Sequence, residues 1–365
     1  MNTKKDYAGK VIFVGIDVHK KTFSCVSICD NQVIKKDSMP ADPETFLNYC
    51  RNNFPGAQIK SAYEAGFSGF YFHRYLILNG IENSIVHPGS IEVSSRDRVK
   101  TDRRDALKIA IQLAAGRLKG IFVPSEDQEA RRSISRLRAS FVKDRSRIGN
   151  QFKSLLFTQG LMGINDDSVI SQKWIDQKLL EMKTKKYPED LIYTATQYAE
   201  QWTALTVKIK EIVLKLKKQA ESDSQKEIQK IYESVPGIGL IHGRELANEL
   251  GDMRQFLNEK NLFCYTGLTP SEYSSGEHVR QGHISRQGRS ILRRILTEAS
   301  WVAINKDPSL RDVFNHTAQH RGKKRAIIKV GRILISRIKT CLRKGILYEI
   351  KDIQKEKSVE GLQCA

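Results

Sequence analysis

A chain of 365 residues, with 61 lysines and arginines against 41 aspartates and glutamates, is too long for one ordinary core and predicts two or three domains. Its formal net charge of +20 points to a polyanionic partner, because clustered cations attract phosphates and release their counterions. No stretch reaches the ~18 uninterrupted apolar residues of a membrane span. The polar start MNTKKDYAGK reads as no secretion signal, and the six cysteines, without a CxxC pair or a zinc spacing, read as reduced thiols of a cytoplasmic protein.

In chain order, VIFVGIDVHKKTFSCVSICD predicts two strands joined by a tight HKK turn, a hairpin opening a mixed sheet. IKSAYEAG predicts a short strand ending at Glu64 and Gly66, and ENSIVHPG another, closed by Pro88 and Gly89. Between them FSGFYFHRYLILNG has helical spacing and a glycine stop. TDRRDALKIAIQLAAGRLKG predicts a helix with an apolar stripe through Ala106, Ile109, Ala110 and Leu113. This order over residues 1–125 suits an α/β domain.

Residues 126–229 follow a different pattern. Leu191, Ala195, Tyr198, Trp202, Leu205, Ile209, Ile212 and Leu216 alternate in steps of four and three, a heptad seam that predicts a coiled-coil arm. A rougher stripe runs through Ile134, Leu137, Phe141, Ile148, Phe152 and Leu155, and the polar stretch 157–190 suits the arm's tip. The two helices can pack antiparallel in one chain or zip between chains; spacing leaves both open.

Residues 230–345 read as an all-α domain, followed by a polar tail at 346–365. SVPGIGLIHGRELANELG places PGIG between two apolar segments, as in a helix–hairpin–helix whose backbone N–H groups meet a phosphate; a plain turn accounts for it equally. From Arg280 to Lys344 there are 17 basic and 3 acidic residues, the expected nucleic-acid surface. Arg280, Arg286, Arg289 and Arg293 supply its first part, and Lys323, Lys324 and Arg325 its second. Holding a phosphate backbone is the default role of such residues.

Four acids stand out by position. Asp17 sits among Val14, Ile16 and Val18 in an apolar strand, where a charge is costly without a partner or a metal. Glu64 ends another strand, and Asp102 and Asp105, three apart, share a helix face. Surface charge explains each one singly. Together they suit two Mg²⁺ ions, with Mn²⁺ the alternative, bridging a phosphodiester.

GIDVHK, YEAG and KTDRRDA, carrying Asp17, Glu64, Asp102 and Asp105, resemble the RuvC-like (RNase H-like) DEDD domain of the IS110 family of insertion-sequence transposases, to which Piv-type invertases are related. SVPGIG and FCYTGLTPSEYSSGEHVRQGHISRQGRSILRRILTEA resemble the family's second domain. The resemblance spans roughly 11–125 and 230–305, with one departure at His283, where the family often has arginine. It implies a recombinase that joins its four-acid site to a serine, here Ser275 in EYSSG, with Ser274 and Ser285 as local competitors. Serine attack would conserve the phosphodiester as a protein–DNA ester for strand exchange. The resemblance further implies homodimers pairing into a homotetramer and, for some members, an element-encoded guide RNA. The rival readings are a Piv-type invertase, a hydrolytic RuvC-like junction resolvase and a non-catalytic nucleic-acid binder.

Overall fold

The computed structural model describes residues 6–92, 101–163, 166–222, 225–272 and 281–350. They divide into two compact units at Pro124/Ser125, and each is taken by itself.

The first unit is built on a five-stranded mixed sheet. The expected hairpin is present as β1 (Val11–Val18) and β2 (Thr22–Cys29), and β3 (Gln32–Pro40) follows. The turn from β2 to β3 is made by Asp30 and Asn31, both at positive φ (48° and 62°); short polar side chains tolerate that region better than others do. α1 (Pro43–Asn53) starts at Asp42, whose carboxylate accepts the Thr45 N–H at 2.7 Å, with a proline in the first turn. β4 (Gln58–Glu64), α2 (Tyr71–Leu78), β5 (Glu82–Val86) and α3 (Asp102–Ala114) complete the unit. β3 and α1 are additions to the elements expected from the sequence.

The strand order is β3-β2-β1-β4-β5. β1 pairs antiparallel with β2 and parallel with β4, and β4 pairs parallel with β5. Alternation divides β1 between two faces. Ile12, Val14 and Ile16 join Phe46, Phe72 and Leu76 of α1 and α2 in the larger core. On the other face Phe13, Val26 and Ile28 meet Ala106 and Ala110 of α3. Gly15 lies where that helix crosses: a Cβ there would stand 2.2 Å from the Ala106 carbonyl oxygen.

The second unit is helical apart from one short ribbon. α4 (Glu126–Thr158), α5 (Gln172–Thr184) and α6 (Glu189–Ser222) come first. Tyr187 donates to the Gln159 carbonyl at 2.9 Å, and Arg145 lies 5.6 Å over the Trp202 ring. Residue numbers therefore rise on α6 as they fall on α4, so the two long helices run antiparallel within one chain. Ile148, Phe152, Leu156, Ala195, Ala199 and Trp202 share their core. All eight residues of the heptad seam are buried or half-buried, whereas Leu137 of the rougher stripe is exposed.

α7 (Lys226–Glu233), α8 (Leu240–Leu250), α9 (Glu259–Thr266), α10 (Ser290–Lys306), α11 (Pro308–Arg321) and α12 (Lys323–Lys344) form the rest, with β6 (Pro270–Glu272) and β7 (Gln281–Ile284) pairing antiparallel. The PGIG turn joins α7 to α8. Gly237 there has φ +88°, and a Cβ would stand 2.8 Å from Val302 Cβ and 2.9 Å from Ala299 Cα, so glycine lets the turn press onto α10. Asp307 caps α11, accepting from the Ser309 and Leu310 N–H groups, from Tyr348 Oη at 2.7 Å and from Arg337 Nη1 at 2.9 Å. Burial pushes its carboxyl up, but these hydrogen bonds and the Arg337 charge outweigh burial and hold it below the ordinary aspartate range.

Candidate metal centre and nucleic-acid interface

Asp17 is the next-to-last residue of β1, and alternation with Gly15 turns it to the α3 face. The parallel register of β1 with β4 runs to Ile16↔Tyr63. One residue further along each strand stand Asp17 and Glu64, both on that same face by alternation. Asp102 and Asp105 lie in the first turn of α3, where the positive end of the helix dipole favours carboxylates. The packing of Ala106 and Ala110 against Gly15 holds this turn beside the end of β1.

The tightest contacts run through a residue outside the expected four. His19 Nε2 stands 3.1 Å from Asp17 Oδ2 and 3.2 Å from Asp102 Oδ1. Asp17, His19 and Asp102 each offer a ligand atom, and these atoms all lie within 4.8 Å of one another. Glu64 and Asp105 are not part of that group; Asp105 pairs with Lys108 Nζ at 3.2 Å. The sequence signal for His19 was its i, i+2 spacing from Asp17, which puts both on one face at the strand's end.

Electrostatics tie the acids together. Burial pushes the Asp17 carboxyl above its ordinary range; His19 pulls it down, and the negative charges of Asp102 and Asp105 push it up again. The Asp17 carboxylate, joined by Asp102, raises the His19 imidazole against its own desolvation. A half-buried carboxylate repelled by two others is stabilised by a cation. The donor set of carboxylates and an imidazole fits a divalent metal ion.

The expected basic residues belong to the second unit. Ser274, Ser275 and Arg280 lie outside the described residues. Ser285, the other serine competitor, donates its backbone N–H to the Thr269 carbonyl at 2.9 Å. Arg286 is exposed at φ 56°, and Arg289 is exposed at the N-cap of α10. Arg293 is half-buried, with Nη1 in the space that a Cβ at Gly267 would need. Lys323, Lys324 and Arg325 are exposed and line a groove of about 1550 Å³ with His316, His320, Arg321 and Arg332. Arg332 caps the Phe263 ring at 4.4 Å. These three cations open α12, the end of a helix where a positive charge is least favoured, so a bound anion would offset that repulsion. Arg332 belongs to the same basic run as Lys323, Lys324 and Arg325 and was expected at the phosphate backbone with them; the histidines carried no expectation from the sequence, and only the fold gathers them.

No helix among the described residues is long and apolar enough to cross a membrane. A family model described as "Transposase" matches residues 14–158, and one described as "Transposase IS116/IS110/IS902 family" matches residues 229–315. The transposase for insertion sequence element IS1533 of Leptospira borgpetersenii is 26% identical, over 80% of this chain and 84% of its own length. The transposase for insertion sequence element IS1328 of Yersinia enterocolitica is 27% identical, over 81% and 85%. The Sinorhizobium fredii protein y4qE is 28% identical over 66% of this chain. The chain spans 57% of the length of y4qE and 65% of that of y4rJ from the same organism, under two thirds of each.

Proposed function

We propose that this chain, which belongs to the IS116/IS110/IS902 family of insertion-sequence transposases, cuts and rejoins DNA at the ends of a mobile element by phosphodiester transesterification. The observation that carries this reading is the meeting of Asp17, from the end of β1, with Asp102, from the first turn of α3, across one imidazole. Asp17, Glu64, Asp102 and Asp105 would hold the divalent ions, Mg²⁺ or Mn²⁺. When bound, such ions supply Lewis-acid polarisation of a phosphodiester.

Ser275 is the proposed nucleophile. A bond forms from its Oγ to phosphorus as the bond from phosphorus to the 3′ oxygen breaks, and the serine's proton ends on the released 3′ oxygen. The ester keeps the phosphodiester energy, so a 3′-hydroxyl of another strand reverses the step and joins new partners. Water in place of serine would leave only nicks, which is the hydrolytic resolvase reading. The assembly is a homodimer pairing into a homotetramer, since exchange needs several strands cut together, and it acts in the cytoplasm.

Incubating the full chain with Mg²⁺ and DNA carrying joined element ends should give a denaturant-stable protein–DNA adduct. Mass spectrometry should place the adduct on Ser275, and it should vanish in Ser275→Ala and Asp17→Ala. Cutting that persists in Ser275→Ala would assign the chain to the resolvases. Inversion of a segment between two fixed sites would assign it to the Piv-type invertases. Intact DNA affinity with no cutting at all would leave a binding protein.

The groove at the start of α12 is the proposed backbone contact. Replacing Lys323, Lys324 and Arg325 by alanine should weaken duplex binding across all sequences and lower the slope of log affinity against log salt by about 2 to 3. An unchanged slope would remove these residues from the interface. The same surface would serve a guide RNA, and sequencing of nucleic acid that copurifies with the protein tests for one.

A further inference from the structure

His19 is the one residue of the tight trio that is not an acid. Resting on the proposed reading of the acids as a metal centre, we infer that His19 is itself a ligand of the ion held by Asp17 and Asp102, and that this mixed nitrogen–oxygen centre takes Mn²⁺ in preference to Mg²⁺.

Geometry is the first support. Two ligand atoms at right angles on one ion, each ~2.1 Å from it, lie ~3 Å apart. Nε2 stands 3.1 Å from an Asp17 oxygen and 3.2 Å from an Asp102 oxygen, the spacing of adjacent coordination positions. The ring's origin is fixed as well: the His19 N–H donates to the Thr22 carbonyl at 2.9 Å, so the hairpin turn delivers the imidazole to the strand end. About half of the His19 side chain is solvent-exposed, at 46%, which leaves an ion an entry path.

Ligand chemistry sets the preference. Mg²⁺ demands near-octahedral oxygen ligation and gives up water reluctantly, whereas Mn²⁺ and the later first-row ions accept imidazole and carboxylate together. Four carboxylates alone favour neither ion strongly; an added nitrogen does. The competing account is that the imidazole merely fills the cation's place and swings out when an ion arrives.

The test uses the full-length protein loaded with one equivalent of Mn²⁺ and pulsed electron paramagnetic resonance. The expected spectrum shows ¹⁴N coupling from a directly bound imidazole, and the coupling disappears in His19→Ala. Mn²⁺ affinity in His19→Ala should fall at least ~10-fold, while Mg²⁺ affinity, measured by competition, changes by less than ~3-fold. Mn²⁺ that binds the wild-type protein without nitrogen coupling, and is lost in Asp17→Asn, would overturn the role of His19 and leave the acid centre standing. Mn²⁺ binding that is absent, or indifferent to Asp17→Asn, would overturn both.

Discussion

Gly15→Ala should abolish adduct formation, by ~100-fold or more, in a chain that still folds. The added Cβ would stand 2.2 Å from the Ala106 carbonyl oxygen and 2.3 Å from the Ala110 nitrogen. Both are backbone atoms inside α3, so no side chain can turn aside and the helix must retreat from β1. Overpacking of this kind costs about 1–3 kcal/mol, which a unit with a second, larger core on the opposite face of its sheet can absorb. The site cannot absorb it. Asp17 is two residues further along β1, and Asp102 and Asp105 ride on the helix that moves. A displacement near 1 Å separates the two halves of the carboxylate set, and a misplacement of that size costs ~10²-fold in rate. Ile109→Ala is the control: it removes core volume from the same helix, about 2–5 kcal/mol, without pushing the helix away. Adduct yield and Mn²⁺ affinity should fall in Gly15→Ala and hold in Ile109→Ala at temperatures where both are folded. Near wild-type yield from Gly15→Ala would show that the acids do not depend on this contact.

The same crossing shows what the sequence could and could not reveal. Asp17 was legible because a charge in an apolar strand needs a reason, and Asp102 and Asp105 because their spacing shares a helix face. Gly15 was not, since its meaning lies in a helix some 90 residues later along the chain. β3 escaped for a different reason. It is an edge strand, and its run QVIKKDSMP is mostly exposed, so it lacks the apolar alternation that marks a half-buried strand. Its signal lay instead in the Asp30–Asn31 turn. α1 had a readable start in DPET, an N-cap aspartate before a proline, but only Phe46, Leu47 and Cys50 of its eleven residues are buried. The heptad seam of α6 was legible as a seam. Its partner was not, because apolar steps of four and three specify a neighbouring helix without saying which chain supplies it; the antiparallel α4 of the same chain is that neighbour. The groove at α12 was half-legible: the basic run from Lys323 to Arg332 announces itself in the sequence, whereas the histidines from α11, and the stacking of Arg332 on Phe263, do not.

Glu249→Ala should destabilise the second unit by about 3–5 kcal/mol, a fall in melting temperature on the order of 10 °C for a unit of this size. Glu249 is fully buried on α8 and grips Arg136 of α4 with both oxygens, at 2.7 and 3.0 Å. Arg132 reaches the Glu249 carbonyl at 2.7 Å, and Arg138 pairs with the buried Glu245 at 2.8 Å. Beside them Asn248 donates to Ser135 at 2.8 Å and accepts from the buried Arg244. The root of the long helix α4 is therefore held to α8 by charge and hydrogen bonding, where its outer half is held to α6 by apolar packing. Removing the carboxylate takes the shared counter-charge from Arg136 and from the buried Arg132, 3.8 Å away, and the loss at Arg132 is the costly event; the pair itself contributes little beyond a well-packed apolar contact. Glu249→Gln, which keeps an acceptor but not the charge, should lose less. The double variant Glu249→Met with Arg136→Met should recover part of the loss. Calorimetry measures all three, and a melting temperature for Glu249→Ala within 1–2 °C of wild type would rule the network out as the anchor. Hydrogen exchange locates the effect: protection should fall in α4 around residues 128–138 and persist around Ile148 and Phe152, whose core lies with α6.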